Sequence, residues 1–246
     1  IEHYNGTEWK YFDAVKYCTT NTLNFPTGAG CIASYNFNNN VNDIGNTLNG
    51  IDSNLTFTSS GKFGAAAVFN GNSSRVDLPT GNLGFSTNNF SVSCWFNSAD
   101  VTQDNQSLFW FQHYQSPVRF GAQISQPSYG GDRDVRFYCT IGGTGTNLFT
   151  NSDILNSSTW YHAVFVKSST SGMTIYINGT SVATDTGATG AVNNNVTSGG
   201  TNSIGVYQTS ASSGYFNGSI DQFRMFNTTL TQSQINTLYN NEIACS

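Results

Sequence analysis

The sequence predicts an all-β fold: a two-sheet antiparallel β-sandwich with one short C-terminal helix and a small N-terminal appendage. Three observations carry that expectation. Short apolar runs alternate with period two, Gly, Asn and Ser punctuate them, and a single segment repeats its apolar residues at helical spacing. The composition agrees. Charged residues make up only 9 % and aromatics reach 14 %, so Asn, Ser, Thr and Gly wet the surface while 18 Phe, 12 Tyr and 4 Trp supply a core. At 246 residues the chain can bury roughly 70–75 % of its unfolded surface, so neither metal nor disulfide is required to hold it.

Residues 1–28 read as an appendage and linker, with an Asn5-Gly6 hairpin signal between aromatic segments and Pro and Gly at the end. Residues 29–246 form the main domain. FSVSCWF (90–96) places Phe90, Val92, Cys94 and Phe96 on one face, and DVRFYCTI (134–141) does the same with Val135, Phe137, Cys139 and Ile141. WYHAVFV (160–166) and MTIYI (173–177) continue the series, the latter closing on Asn178-Gly179, the preferred type I′ hairpin turn. Further Asn-Gly turns are expected at Asn49, Asn70 and Asn217. The helix follows Thr231, its N-cap; Gln234 completes a capping box, and Ile235, Leu238 and Tyr239 form the apolar stripe. Tyr35, Phe37, Phe69, Trp95, Trp160, Phe165, Tyr176 and Phe223 fit core positions.

A formal charge of -5 with no Lys/Arg run removes the electrostatic footprint that nucleic-acid binding requires. The longest apolar runs, 65–69 and 163–166, fall far short of the ~20 residues that span a bilayer, which argues against membrane insertion. The chain opens on Ile1 rather than Met, as a processed chain or a fragment would. Five Cys leave at least one unpaired. Cys31 and Cys245 flank the patterned region and could staple first strand to last, or remain reduced; Cys94 and Cys139 sit in alternating runs and could be small buried hydrophobes.

Tyr35-Asn36-Phe37, Asp43-Ile44-Gly45-Asn46, GKFGAAAVFNG (61–71), Val76-Asp77-Leu78-Pro79, Trp160-Tyr161-His162-Ala163-Val164 and FNGSIDQFRMFNTTLTQSQINTLY (216–239) follow in an order that is familiar. Over residues 31–243 the chain resembles the laminin-G-like jelly roll of the concanavalin A-like lectin and glucanase superfamily. That resemblance implies a fold used by lectins, adhesion modules, enzymes and spacers alike. It also implies a possible Ca²⁺ site at the sandwich edge, with Asp43, Asn46 and Asp221 as oxygen ligands; the alternative is a turn cap for Asp43 and backbone hydrogen bonds for Asp221. The segment IEHYNGTEWKYF is similar to short stretches in bacteriophage tail-fibre and other virion proteins.

Retaining glycan hydrolases need two facing carboxylates, yet the only Glu are Glu2 and Glu8 in the appendage and Glu242 after the last helix. Asp132 and Asp134 are the one close acidic pair, read as a solvated loop neutralised by Arg133 and Arg136. Among the three His, His162 is read as a core or rim residue, and no Ser-His-Asp order or metal triad stands out. A non-enzymatic protein is expected.

Sugar recognition needs flat aromatic faces and planar polar groups on a rigid scaffold. Trp110, His113, Tyr114 and Arg119 lie in one stretch, with Tyr129 and Arg133 close behind and Tyr207 and Tyr215 around a second Gly/Ser-rich loop. Strand alternation puts Trp110 and Phe111 on opposite faces, so core or subunit contact competes with ligand contact there. The sequence thus predicts a non-catalytic virion surface protein, a tail-fibre or capsid-decoration homo-oligomer binding host-surface polysaccharide, glycoprotein or other virion subunits. A secreted or extracellular adhesin is the alternative, and a glycan-active enzyme the third.

Overall fold

The computed structural model describes residues 2–4, 9–11, 25–81, 83–112, 119–126, 131–151, 153–192, 202–207 and 214–240; at 2–4, 9–11, 112, 119, 125–126 and 131–132 it describes the backbone alone. Strands β1 (Glu2–Tyr4) and β2 (Trp9–Tyr11) pair with each other as a separate two-stranded ribbon. The main domain follows with β3 (Cys31–Tyr35), β4 (Ile51–Ser53), β5 (Thr56–Thr58), β6 (Ala66–Asn70), β7 (Arg75–Leu78) and β8 (Asn89–Ser98). It continues with β9 (Gln106–Gln112), β10 (Arg119–Gln126), β11 (Gly131–Ile141), β12 (Thr144–Phe149) and β13 (Tyr161–Ser168). Last come β14 (Gly172–Ile177), β15 (Thr180–Asp185), β16 (Asn202–Ile204), β17 (Asn217–Phe226) and the helix α1 (Gln232–Asn240).

These strands form two stacked antiparallel sheets. One runs β12-β11-β10-β9-β16-β7-β4; the other runs β15-β14-β13-β8-β17-β6-β5, with β3 also paired to β17. The two inner faces meet in a phenylalanine-rich core: Phe90, Val92, Cys94 and Phe96 of β8 face Phe109, Phe111, Val135, Phe137 and Cys139 of the opposite sheet. Edge and tilted ring contacts, such as Phe85 on Phe120 at 4.9 Å and Phe109 on Phe165 at 5.5 Å, fill the space between layers. The expected alternation in FSVSCWF and DVRFYCTI is present, and Cys94 and Cys139 are buried free thiols whose ionisation burial opposes.

A second, smaller core lies on the outer face of the eight-stranded sheet. There Ile235 and Leu238 of α1 pack against Val164, Val166 and Phe226 together with Ala29 and Leu230. This explains why β8 and β13 are buried on both faces rather than one. The helix begins as its capping box requires: Thr231 N–H donates to Gln234 Oε1 at 3.0 Å and Gln234 N–H to Thr231 Oγ1 at 3.3 Å. Tyr239 stacks on Trp95 at 5.6 Å, so that indole is covered by the helix instead of the main core. Trp160 and Tyr176, expected in the core, are half-buried.

The Asn178-Gly179 turn is as expected, both residues having positive φ (51° and 79°). Asn217-Gly218 is not a turn. It lies inside β17, where Gly218 pairs with Phe69 on one side and Ser98 on the other, and an added Cβ would sit 2.1 Å from the Asn97 carbonyl. Glycine serves close backbone approach there.

Candidate functional site

Strand alternation sends one set of side chains out from the seven-stranded sheet, and its register aligns them. Ile51 pairs with Asp77, Asp77 with Ser203, Ser203 with Trp110, Trp110 with Gly121, Gly121 with Tyr138 and Tyr138 with Asn147. Paired residues share a face, so a single row crosses the sheet from edge to edge. At about 4.8 Å per strand spacing, the row is roughly 29 Å long.

Trp110 is its centre. The ring is 2 % exposed, stacked with Tyr138 at 5.4 Å and tilted against Tyr207 at 4.4 Å. Gly121 permits this arrangement, since a Cβ there would lie 2.2 Å from Trp110 Cε3. Tyr207 and Tyr138 are half-buried, so they, rather than the indole beneath, offer ring surface to solvent. Beside Tyr138, Arg136 donates from Nε to Asn147 Oδ1 at 2.7 Å and from Nη1 to Gln123 Oε1 at 2.7 Å. Its guanidinium carbon lies 5.1 Å from the Tyr138 ring centre. Asn147 is exposed and Gln123 buried, so the network ties a solvent-facing amide to a fixed base. Toward the other end, Arg75 Nε donates to both Asp77 oxygens at 2.9 and 3.0 Å, and Ser53 Oγ donates to Asp77 Oδ2 at 3.0 Å. The Asp77 hydrogen bond holds the Arg75 guanidinium pKa above its ordinary value, and Tyr215 acts on it in the same direction.

Of the expected sugar contacts, the structure brings Trp110 and Tyr207 together and sets Tyr215 beside Arg75. Trp110 supports the surface without being open to it. Arg133 turns to an exposed ion pair with Asp153, its Nε at 2.8 Å. Arg119 opens β10 opposite Gln112, with only its backbone described; His113, Tyr114 and Tyr129 lie outside the described residues. Asp134, expected in a solvated loop, is buried. The alternation of DVRFYCTI already carried the signal for two missed residues, Arg136 and Tyr138, which occupy its outward positions; Gly121 and Asn147 had no such signal.

The carboxylates expected to hold calcium accept hydrogen bonds from the chain itself. Asp43 Oδ1 accepts the Ser34 amide at 2.9 Å, and Oδ2 accepts the Thr47 hydroxyl and the amides of Thr47 and Leu48 at 3.2–3.3 Å. Asp221 accepts the amides of Phe63 at 2.8 Å and Gln222 at 2.7 Å, and burial pushes its carboxyl up to about 7. Asn46 Oδ1 is likewise taken by Asn49 Nδ2 at 2.7 Å. No three His, Cys, Asp or Glu cluster at metal-binding distance among the described residues. Cys31 is a free thiol, its Sγ donating to the Ala33 carbonyl at 3.3 Å; Cys245, its expected bridge partner, lies outside the described residues. His162 is a core residue as read, its Nε2 2.9 Å from Ser93 Oγ, and burial with Arg224 nearby lowers its pKa to about 3.

The laminin-G family model described as concanavalin A-like lectin/glucanases superfamily matches residues 70–236. The chain belongs to this superfamily. Similar solved structures include domain 4 of AbnA, a GH43 extracellular arabinanase from Geobacillus stearothermophilus, in complex with arabinotriose. It is 24 % identical with a TM-score of 0.67, covering 86 % of this chain and 98 % of that one. The binding domain of Paraclostridial Mosquitocidal Protein 1 is 15 % identical with a TM-score of 0.65, covering 86 % and 52 %. The receptor binding domain of botulinum neurotoxin C/D mosaic serotype is 16 % identical with a TM-score of 0.61, covering 87 % and 51 %. The chain therefore spans about half the length of these toxin binding domains. At such identities the likeness is one of fold. No curated protein sequence matches the chain. As a superfamily member it is a two-sheet jelly roll, and among the described residues no helix is long and apolar enough to cross a membrane.

Proposed function

We propose that this superfamily member is a non-catalytic carbohydrate-binding module acting outside the cell. The observation that carries the reading is the row across the seven-stranded sheet, where Tyr207 and Tyr138 rest on Trp110 beside the Arg136–Asn147–Gln123 network. Ring faces stack on sugar C–H surfaces, and the exposed Asn147 amide meets hydroxyls. The fold's occurrence in an arabinanase domain holding arabinotriose and in toxin binding domains supports a binding role and an extracellular setting. It favours a secreted or cell-surface module over the virion component suggested by IEHYNGTEWKYF, a segment described only as backbone at 2–4 and 9–11. Among its described residues the row carries one carboxylate, Asp77, bonded to Arg75 and Ser53, where hydrolysis uses a facing pair.

The test is a glycan array on the full chain, with arabinan oligosaccharides included, followed by calorimetric titration of each hit. Tyr207→Ala and Tyr138→Ala are expected to weaken binding about tenfold with the domain still folded, and prolonged incubation to leave the glycan chain length unchanged. An array without hits, hits insensitive to both substitutions, or shortened products would overturn the proposal.

A further inference from the structure

On the opposite sheet, a small polar cavity lies beneath α1, lined by Ser93, His162, Gln222 and Arg224 with Trp95 and Leu238 as apolar walls. It has room for about one water-sized particle. A β-bulge builds it. Between the Asp221–Trp95 and Arg224–Ser93 pairs, β17 carries one extra residue, and Gln222 adopts φ 48°, which adds its side chain to the outer face. Bulges of this kind re-aim side chains and are enriched next to functional sites.

The polar atoms here are not matched by protein partners. Arg224 Nη1, Gln222 Nε2 and His162 Nδ1 are all buried without a hydrogen bond. Arg224 Nη1 is a donor in any state, and neighbouring atoms bear on the other two. Gln222 Oε1 accepts from Arg224 Nη2 at 3.1 Å, so the amide presents Nε2, a donor, to the cavity. His162 Nε2 lies 2.9 Å from Ser93 Oγ; when that hydroxyl donates, the imidazole proton sits on Nδ1, making a third donor. Arg224 is 2 % exposed and makes no ion pair among the described residues. Its companions are the Phe25 ring at 5.2 Å and the Cys31 thiol, while Asp221 has its oxygens on the Phe63 and Gln222 amides. The Asp221 carboxyl acts favourably on Arg224, but burial raises its pKa to about 7 and its oxygens are spent on amides, so it compensates the buried guanidinium only in part; a water oxygen adds no charge and offers fewer lone pairs than there are donors.

We propose that this cavity binds a monoatomic halide, with chloride as the biological occupant, held by Arg224 Nη1, Gln222 Nε2 and His162 Nδ1. The ion adds negative charge beside the guanidinium, occupies a space too small for acetate or sulfate, and links β13 to β17 under the helix. It is independent of the sugar-binding row, which lies on the other sheet.

Thermal unfolding of the full chain at fixed ionic strength, with sodium gluconate exchanged stepwise for sodium chloride or bromide, tests this. Saturable stabilisation is expected for both halides, roughly 3–6 °C at ten times the dissociation constant. Gln222→Met is expected to weaken halide affinity tenfold or more, and Arg224→Met to abolish the response. Should Arg224→Met fail to fold, bromide anomalous scattering from crystals of the unsubstituted chain still decides, with a peak inside the cavity expected. Equal melting temperatures in gluconate and halide, or bromide peaks confined to the surface, would overturn the proposal.

Discussion

Replacing Gly121 by alanine places a methyl group where the Trp110 indole now lies. The new Cβ would sit 2.2 Å from Trp110 Cε3 and 2.8 Å from the Phe109 carbonyl, against an ordinary carbon separation of about 3.5–4.0 Å. The indole has to move by more than about 1 Å. Its path is closed on either side, by Tyr138 at 5.4 Å and Tyr207 at 4.4 Å between ring centres. Overpacking of this kind costs about 1–3 kcal/mol. Against it, alanine reduces the freedom of the unfolded chain, a gain of about 0.4–1 kcal/mol at a compatible position, and Gly121 has no positive φ to be strained. The overpacking term wins, leaving a net loss of about 1–2 kcal/mol and a melting temperature lower by roughly 2–8 °C. Urea denaturation read by tryptophan fluorescence measures both stability and the indole environment. Binding of any ligand that uses Tyr207 should weaken in parallel, because Tyr207 rests on the displaced ring. A variant as stable as the parent, with unchanged fluorescence, would refute the account of the row.

His162 and Asp221 make opposite contributions to the pH dependence of stability. His162 is lowered from 6.5 to about 3, so its contribution is present above pH 6.5 and lost on acidification; Asp221 is raised from 3.8 to about 7, so its contribution is present at low pH and lost as pH rises through about 7. Between roughly pH 4 and 6.5 the two slopes cancel, and His162→Gln is expected to gain about 1.4 kcal/mol per pH unit of acidification relative to the parent in urea titrations. Parallel curves for the two proteins would show that His162 is not held neutral. Asp43→Ala removes the acceptor for three backbone amides and the Thr47 hydroxyl, with an expected loss of about 2–4 kcal/mol by chemical denaturation. A calcium chelator is expected to leave the melting temperature of the parent unchanged; a chelator-induced drop would contradict the hydrogen-bonding role of Asp43.

The strands most legible in the sequence were those with one inward apolar face: β8 and β11 follow simple alternation, and the β14–β15 turn needs two positive-φ residues that Asn178-Gly179 supplies. The helix was legible because its cap is local, Thr231 and Gln234 being three residues apart. What escaped depends on distant pairing. Asn217-Gly218 looks like a turn until β6 and β8 close on either side of it. Asp43 and Asp221 have residue types suited to calcium, and the amides of Ser34, Leu48 and Phe63 that they accept belong to segments no local pattern places beside them. For the candidate site, Trp110 and Tyr207 could be named from composition, yet their juxtaposition arises because β16 inserts between β9 and β7. No local pattern encodes that insertion, or the seven-strand register that adds Tyr138 and Asn147.

The second core also joins the two ends of the jelly roll. Ala29 and Leu230 pack in it together, Thr228 Oγ1 donates to the Ala29 carbonyl at 2.6 Å, and the Asn227 amide donates to the Gly30 carbonyl at 3.0 Å. Entry and exit of the folded body therefore share one anchorage, on the reverse of the layer that carries Trp110. Pulling on both ends at once would load this clasp in a peeling direction before any force reached the phenylalanine layers.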